Sequence, residues 1–348
     1  MPAMITGWGK CLPPAVLTND DLATIMDTSD EWITSRTGIR ERRISHVGVA
    51  ELGYVSAMRA LAAAGLEPQQ VGGIILATAS PDLLIPNTAS RIQELIGNDG
   101  ASALDINSGC CGFIYGLALA NGLIETGVHE SVLVIGAERL SFYLDWSKRD
   151  SAVLFGDGAG AALLEPGVGG AGVLAADLGC DPGAGEALMI ADFCTFMDLS
   201  SWKGGPFDQR FDGQEIFRRA VRGMHECSMS ALQRAGLGIN DCSMLIPHQA
   251  NLRIVESLGK RLSFDADRVF TNLQRYGNTS AATVPIALTE SLEEGLIEPG
   301  DNLLMTAFGA GLTRAAAVLR WGERTTPVAN ATVELPPCEQ TALDLIQP

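Results

Sequence analysis

What most constrains this chain is an alternation of short, apolar, β-rich runs with helix-length runs closed by glycine. Residues 73–79 (GIILATA) read as a buried strand, and residues 52–64 as a helix that stops at Gly65. Two further strands follow at 131–137 (SVLVIGA) and 159–164. The later half repeats the scheme, with a strand at 243–247, a helix running to Leu262, a helix at 284–294, and strands at 302–307 and 315–321. Such a pattern predicts an α/β fold whose sheets are covered on both faces.

The alternation also hints at duplication. Gly109 opens a helix that ends near Gly127 and is followed by a strand reaching Gly136; Gly277, Gly295 and Gly309 mark the same sequence of events later. We therefore expect two similar halves, residues 1–170 and 171–321, meeting at the glycine-rich stretch 166–172 (PGVGGAG). Residues 322–348 carry four prolines and no clear period. They read as a C-terminal extension, wrapped on the surface or partly disordered.

Charge narrows the function. Against 24 Lys and Arg stand 41 Asp and Glu, a formal net charge of −17, which excludes a generally basic nucleic-acid binder. An anionic ligand stays open, because local patches can oppose the global sign. Residues 106–124 are uncharged and long enough to span a bilayer, but four Gly, two Asn and a Ser argue for a helix packed inside a protein core. The first ten residues show no basic, then apolar, export signal. The eight cysteines form neither a CxxC pair nor a zinc spacing, so we expect reduced thiols in a cytoplasm.

Four segments carry residues suited to catalysis. In 105–113 (DINSGCCGF), Cys110 and Cys111 stand at the start of an apolar helix, between Gly109 and Gly112. The free N–H groups and partial positive charge of a helix N-terminus favour a thiolate. On spacing alone the choice between the two cysteines is open, and a buried structural thiol accounts equally for either. His248, in 247–251 (PHQAN), is the one of four histidines placed where a strand hands over to a helix, a usual position for ligand-facing groups; a packed histidine fits there too. Asn278, in 277–280 (GNTS), can serve as a helix N-cap. The turn 307–311 (AFGAG) follows a strand and can aim backbone N–H groups at an oxyanion. By contrast, 156–160 (GDGAG) precedes a strand and so does not match a dinucleotide fingerprint.

In this order and context the segments resemble β-ketoacyl-acyl carrier protein synthase III, a condensing enzyme of the thiolase superfamily. The resemblance covers residues 5–321. It rests on 28–33 (TSDEWI), 36–42 (RTGIRER), the Cys110 segment, 155–162 (FGDGAGAA), 247–254 (PHQANLRI) and 277–282 (GNTSAA). It implies a thiolase-like α/β fold in which two similar βαβ-rich halves form five layers, α-β-α-β-α. It also implies a cytoplasmic homodimer that acts on acyl-CoA and a malonyl thioester, with an acyl carrier protein as partner. No metal, added cofactor, nucleic acid or membrane is called for.

Carried over residue by residue, the resemblance implies a triad of Cys110 (nucleophile), His248 and Asn278. Coenzyme A would meet Trp32, Arg36, Arg149, Gln214 and Asn251, with Trp32 and Arg149 sandwiching the adenine. The oxyanion would lie between the N–H groups of Cys110 and Ala310, with Phe308 shielding the site. Arg253, Lys260, Arg261 and Arg218 would dock the carrier protein, and Ile85 would gate the acyl pocket at the dimer interface. Cys110 would take an acyl group from coenzyme A. The malonyl thioester would then lose CO2 while His248 and Asn278 donate hydrogen bonds to its thioester oxygen, and the carbanion would attack the acyl-enzyme to give a 3-oxoacyl thioester.

Several positions depart from the pattern. Ala310 stands where a glycine is usual, and alanine tolerates positive φ poorly. Arg314 replaces a common tryptophan, Gln214 an asparagine, and residues 179–212 match weakly. A related transferase that hands acyl-Cys110 to another acceptor, a non-decarboxylating condensing enzyme of secondary metabolism, and a non-catalytic partner subunit are the competing accounts; the intact Cys110, His248 and Asn278 argue against the last. Finally, residues 36–43, 210–222 and 253–261 hold 11 of the 24 basic residues and four acids, so an acidic chain is expected to keep a cationic doorway for phosphopantetheine-bearing substrates.

Overall fold

The computed structural model describes residues 1–191 and 208–346. Strand β1 (Ala3–Cys11) opens the chain. Strands β2 (Ala15–Thr18) and β3 (Glu41–Ile44) pair antiparallel, and between them lie α1 (Asn19–Ala23) and α2 (Asp30–Thr37). Then come α3 (Val49–Ala64), β4 (Gly73–Ala77), α4 (Thr88–Leu95), β5 (Ser102–Ile106) and α5 (Gly112–Glu125). Strand β6 (Val132–Glu138), the short α6 (Arg149–Ala152) and β7 (Gly158–Pro166) complete this stretch. Next are β8 (Gly172–Cys180), the ribbon of β9 (Leu188–Ala191) and β10 (Asp208–Phe211), and the long α7 (Gly213–Ala235). Strand β11 (Met244–Pro247), α8 (Leu252–Leu262), α9 (Leu273–Tyr276) and α10 (Thr283–Glu293) lead to β12 (Asn302–Gly309) and β13 (Thr313–Arg320). A last short helix, α11, covers Ala342–Ile346.

Beside the two-stranded β2-β3 and β9-β10 pairs, two larger sheets form among the described residues, ordered β1-β7-β6-β4-β5 and β8-β13-β12-β11. In both, the outer two pairings are antiparallel and the next is parallel, so β1, β7, β6 and β4 match β8, β13, β12 and β11 in direction. The first sheet adds β5 at its edge. Helices α5 and α10 lie between the sheets: Phe113, Ile114, Leu117, Val284 and Leu288 share one core with Val134 of β6 and Met305 of β12. On the outer faces, Leu52, Val55 and Leu61 of α3 cover the first sheet, and Met224, Leu232 and Leu258 of α7 and α8 cover the second. This is the expected five-layered thiolase-like arrangement. Residues 112–124 of the apolar run 106–124 fall in α5 of the central layer, and no helix among the described residues is long and apolar enough to cross a membrane.

The chain beyond Trp321 is wrapped on the surface as far as Ile346. Arg324 donates to the carbonyls of Ala63 and Thr6, the Val328 and Ala329 N–H groups bond Ala63 and Ala62, and Arg59 pairs with Glu334 at 2.7 Å. Buried Ala342 and Ile346 then join Leu17, Ile33, Ile39 and Ile44 in one apolar cluster. Of the weakly matching stretch 179–212, residues 192–207 lie outside the described residues.

Candidate active site

The C-terminal ends of the central strands and the N-termini of the helices that follow open onto one cavity of about 760 Å³. Cys110, His248 and Asn278 all line it, together with Phe308, Met224 and Leu188. Cys110 stands one residue before Cys111, the N-cap of α5; His248 follows β11, its N–H held by the Thr306 carbonyl at 2.8 Å. Asn278 sits in the approach to α10. All three are buried.

Burial shifts the two titratable members, Cys110 and His248. It pushes the Cys110 thiol up to about 12, against the opposing pull of hydrogen bonds from Ser280 and from backbone N–H. Burial thus opposes the thiolate that the free N–H groups at the start of α5 favour. The same effect pushes His248 down to about 3, so its imidazole is neutral at physiological pH.

The local fold at Asn278 also differs from the expectation. Its backbone runs extended beside Phe155, with Asn278 N–H on the Leu154 carbonyl and the Gly156 N–H on the Asn278 carbonyl. The helix therefore starts only at Thr283, and Asn278 is not its N-cap. Instead its Oδ1 accepts the backbone N–H of Ser280, 2.8 Å away. Ser280 has φ +50°, a left-handed conformation uncommon for a non-glycine residue.

At the glycine turn, Ala310 does not need positive φ; Gly311 takes it, at +133°. The departure at 310 therefore carries no backbone strain. A β-carbon on Gly109 would lie 2.9 Å from the Ala310 nitrogen, so the Cys110 segment and this turn are in close contact.

Two segments match the family described as 3-oxoacyl-[acyl-carrier-protein (ACP)] synthase III, residues 104–182 its main model and 232–321 its C-terminal one. A β-ketoacyl-ACP synthase III from Vibrio cholerae, numbered 2 in that organism, is 53% identical over 99% of this chain and 95% of that protein. The Geobacillus kaustophilus synthase III is 44% identical over 92% of this chain and 100% of its own length. A crystal structure of the Aquifex aeolicus synthase III superposes with a TM-score of 0.86, at 43% identity, over 92% of this chain and 100% of that one.

The chain belongs to the β-ketoacyl-ACP synthase III family. It is an acyltransferase of the condensing type, as the resemblance implied.

In this synthase III, the same cavity gathers Trp32, Arg36, Gln214 and Asn251 at its mouth. The Arg36 and Arg149 guanidiniums lie 4.5 and 4.8 Å from the Trp32 ring centre. Arg149 thus rests on the ring itself; a base held between two contact surfaces needs a gap of about 7 Å, twice the contact distance of about 3.5 Å. Asn251 caps α8 through the Arg253 N–H and donates to the Arg36 carbonyl at 3.1 Å.

The remaining expected residues lie outside the cavity lining. Arg253, Lys260 and Arg261 are exposed on α8, with Arg253 bonded to the Ser35 carbonyl at 2.7 Å. Arg218 is exposed on α7 and bonded to Glu215. Ile85 is 84% exposed, in a loop with exposed Leu83 and Leu84. The expected cationic doorway is smaller than its sequence suggests. Arg42 is fully buried, donating to the Leu17 and Val153 carbonyls, while Arg219 and Arg222 pair with Asp181 and Glu226.

Three neighbours of the triad escaped the sequence reading. Thr283 touches His248, Ser280 touches Asn278 and Cys110, and fully buried Glu138 accepts from Ser80 Oγ at 2.5 Å and hydrogen-bonds Ser280. Ser280 stood inside a quoted motif and Thr283 one residue beyond it; Glu138 at the end of an apolar strand gave no signal beyond being an acid in an apolar run.

Proposed function

We propose that this synthase III condenses an acyl group taken from coenzyme A with a malonyl thioester, by decarboxylation. The observation that carries the reading is that one cavity holds Cys110, His248 and Asn278 at its base and Trp32 with Arg36 at its mouth. Cys110 sulfur attacks the acyl thioester carbon; as the new C–S bond forms, the bond to the coenzyme A sulfur breaks and the thiol proton passes to that leaving sulfur, so coenzyme A departs as its thiol. The oxyanion lies against the N–H groups of Cys110 and Ala310. In the second half the malonyl C–C bond breaks, CO2 leaves, and the electron pair moves onto the thioester oxygen, where His248 and Asn278 donate. The resulting carbon nucleophile displaces Cys110 from its acyl group. The loss of CO2 supplies the drive, so the chemistry calls for neither a metal nor an added cofactor.

Coenzyme A enters with its adenine beside Trp32 once Arg149 swings aside, and Gln214 and Asn251 line its path. An acyl carrier protein, the malonyl donor, docks on Arg253, Lys260, Arg261 and Arg218. The chain works in the cytoplasm as a homodimer, in two similar halves, residues 1–170 and 171–321. The free edge of β5 and the exposed Leu83, Leu84 and Ile85 support the pairing, through which Ile85 gates a partner's acyl pocket.

Acyl-CoA is expected to label Cys110 and not Cys111 on peptide fragmentation; a label on Cys111 alone, or none, sinks the mechanism. His248→Ala is expected to keep self-acylation and lose CO2 release; equal loss of both would make His248 a base for Cys110 instead. Acyl-CoA of graded lengths, each tried with malonyl-ACP and malonyl-CoA, then identifies donor and acceptor.

A further inference from the structure

A second cavity, of about 220 Å³, is lined by Arg218, Arg219, Arg222 and Arg314 together with Asp181 and Glu226. Among the described residues, Phe308 is the one that lines both this cavity and that of Cys110. Phe308 on β12 stands directly opposite Arg314 on β13, so the two side chains leave the sheet on the same face. Position 314 is where the resemblance places a tryptophan, an apolar filler; here a cation stands behind Phe308. Two glycines make room for it. A β-carbon on Gly179 of β8 would lie 3.0 Å from Arg314 Nε. One on Gly223 of α7 would lie 3.6 Å from Arg314 Cδ and 3.3 Å from the Phe308 ring.

The charges around the cavity do not close. Arg219 donates to Asp181 and Glu215, Arg218 to Glu215, and Arg222 to Glu226 at 2.7 Å. Four guanidiniums thus share three carboxylates, and the one left over is Arg314. Its Nη1 stays 3.9 Å from Glu226, and its buried Nε–H meets no acceptor among the described residues. A guanidinium is permanently charged, and its planar fork matches the paired oxygens of a carboxylate or phosphate. We propose that this cavity is a binding site for a small oxyanion, a phosphate or a short carboxylate, held by Arg314 with Arg219 and Arg222 at its rim. The site is distinct from the mouth at Trp32 and Arg36, which shares none of these arginines. An anion seated there rests behind Phe308, one side chain away from the catalytic cavity.

Calorimetric titration of the full chain with inorganic phosphate, and separately with malonate, tests the site at an ionic strength held constant with sodium chloride. Saturable binding of at least one of the two is expected, and which one binds identifies the source of the oxyanion. Arg314→Gln is expected to raise Kd about tenfold to a hundredfold, the usual cost of a hydrogen-bonded charge. Arg36→Gln and Arg253→Gln, on the mouth and on α8, should leave Kd within about twofold, as substitutions at separate sites do. Glu226→Gln removes the carboxylate that competes for Arg314 and is expected to tighten binding, a change that damage to the fold does not produce. It also keeps the test decisive if Arg314→Gln does not fold. Absence of saturable binding by either anion overturns the proposal. So does a Kd that neither Arg314→Gln nor Glu226→Gln moves, or a loss produced by Arg36→Gln instead.

Discussion

A β-carbon on Gly309 would lie 2.6 Å from the amide nitrogen of Cys110, so the last residue of β12 and the nucleophile meet backbone to backbone. A strand of the second sheet thereby contacts the segment that links β5 of the first sheet to α5.

Gly309→Ala is accordingly expected to displace Cys110, because neither backbone has a flexible end to yield. A misplacement near 1 Å in a reacting group costs about 10²-fold, so single-turnover self-acylation should fall by that order. Overpacking of this kind also costs about 1–3 kcal/mol of stability. An alanine variant that acylates at the wild-type rate would show that the contact does not position the sulfur.

Cys110 rests as a thiol pushed up to about 12 by burial. Only the thiolate alkylates, and its fraction rises tenfold per pH unit below the pKa. Alkylation of the Cys110 peptide by iodoacetamide should therefore climb about tenfold per unit from pH 7 to 10 with no plateau. A plateau near pH 7 would mean that the helix N-terminus wins over desolvation. Because His248 is pushed down to about 3, CO2 release should show no limb from its titration between pH 5 and 8.

These protonation states were the part of the site least legible in the sequence. Residue types and order were enough to bring out Cys110, His248 and Asn278, because the chemistry needs those side chains at those strand-to-helix junctions. Cys110 shares its cavity with Phe308 and Met224, which arrive from β12 and α7, far along the chain. The strands rich in Val, Ile and Leu were equally plain. Helix α7 was not singled out: its charged residues dominate locally, and its buried Ile216, Ala220, Met224, Cys227 and Ala231 show only at helical spacing. Strand β1 shows no clear run because Gly7 and Gly9 interrupt it, and β8 because Asp177 breaks its apolar stretch.

Trp32 carries two guanidiniums, and each such contact is worth about 0.5–1 kcal/mol at an exposed site. Trp32→Ala is expected to raise KM for the acyl-CoA substrate about tenfold, that is about 1.4 kcal/mol, with little change in kcat. Arg149→Ala should instead lower the barrier to entry while removing one face of the slot, so its effect on KM is expected to be smaller than that of Trp32→Ala. Steady-state kinetics with acyl-CoA separates the two; equal effects would mean that the ring does not hold the base.

The wrapped extension should contribute to stability. Ile346 is buried with Leu17 and Ile44, whose strands carry the lobe that holds α2 and Trp32. Ile346→Ala is expected to cost about 2 kcal/mol, at the low end for a buried isoleucine because a terminal helix can adjust. Urea unfolding measures it; a change below about 0.5 kcal/mol would mark the docking as incidental.

Arg253, Lys260 and Arg261 lie on one helix, two turns apart, and all three are exposed. A carrier protein of opposite charge would be steered by such a row, and steering acts on association and weakens with salt. Arg253→Glu reverses one charge, and Arg253→Gln serves as the control for losing the bond to the Ser35 carbonyl. With a malonyl carrier protein at low salt, the Glu variant is expected to lose about tenfold in kcat/KM and the Gln variant less, the gap narrowing as the Debye length falls from about 10 Å at 0.1 M toward about 3 Å at 1 M. With malonyl-CoA both should stay within about twofold of the wild type, because the small donor reaches the cavity past Trp32 without crossing α8. An equal loss with both donors would assign Arg253 to the shape of the cavity mouth, through Ser35 and α2, rather than to docking.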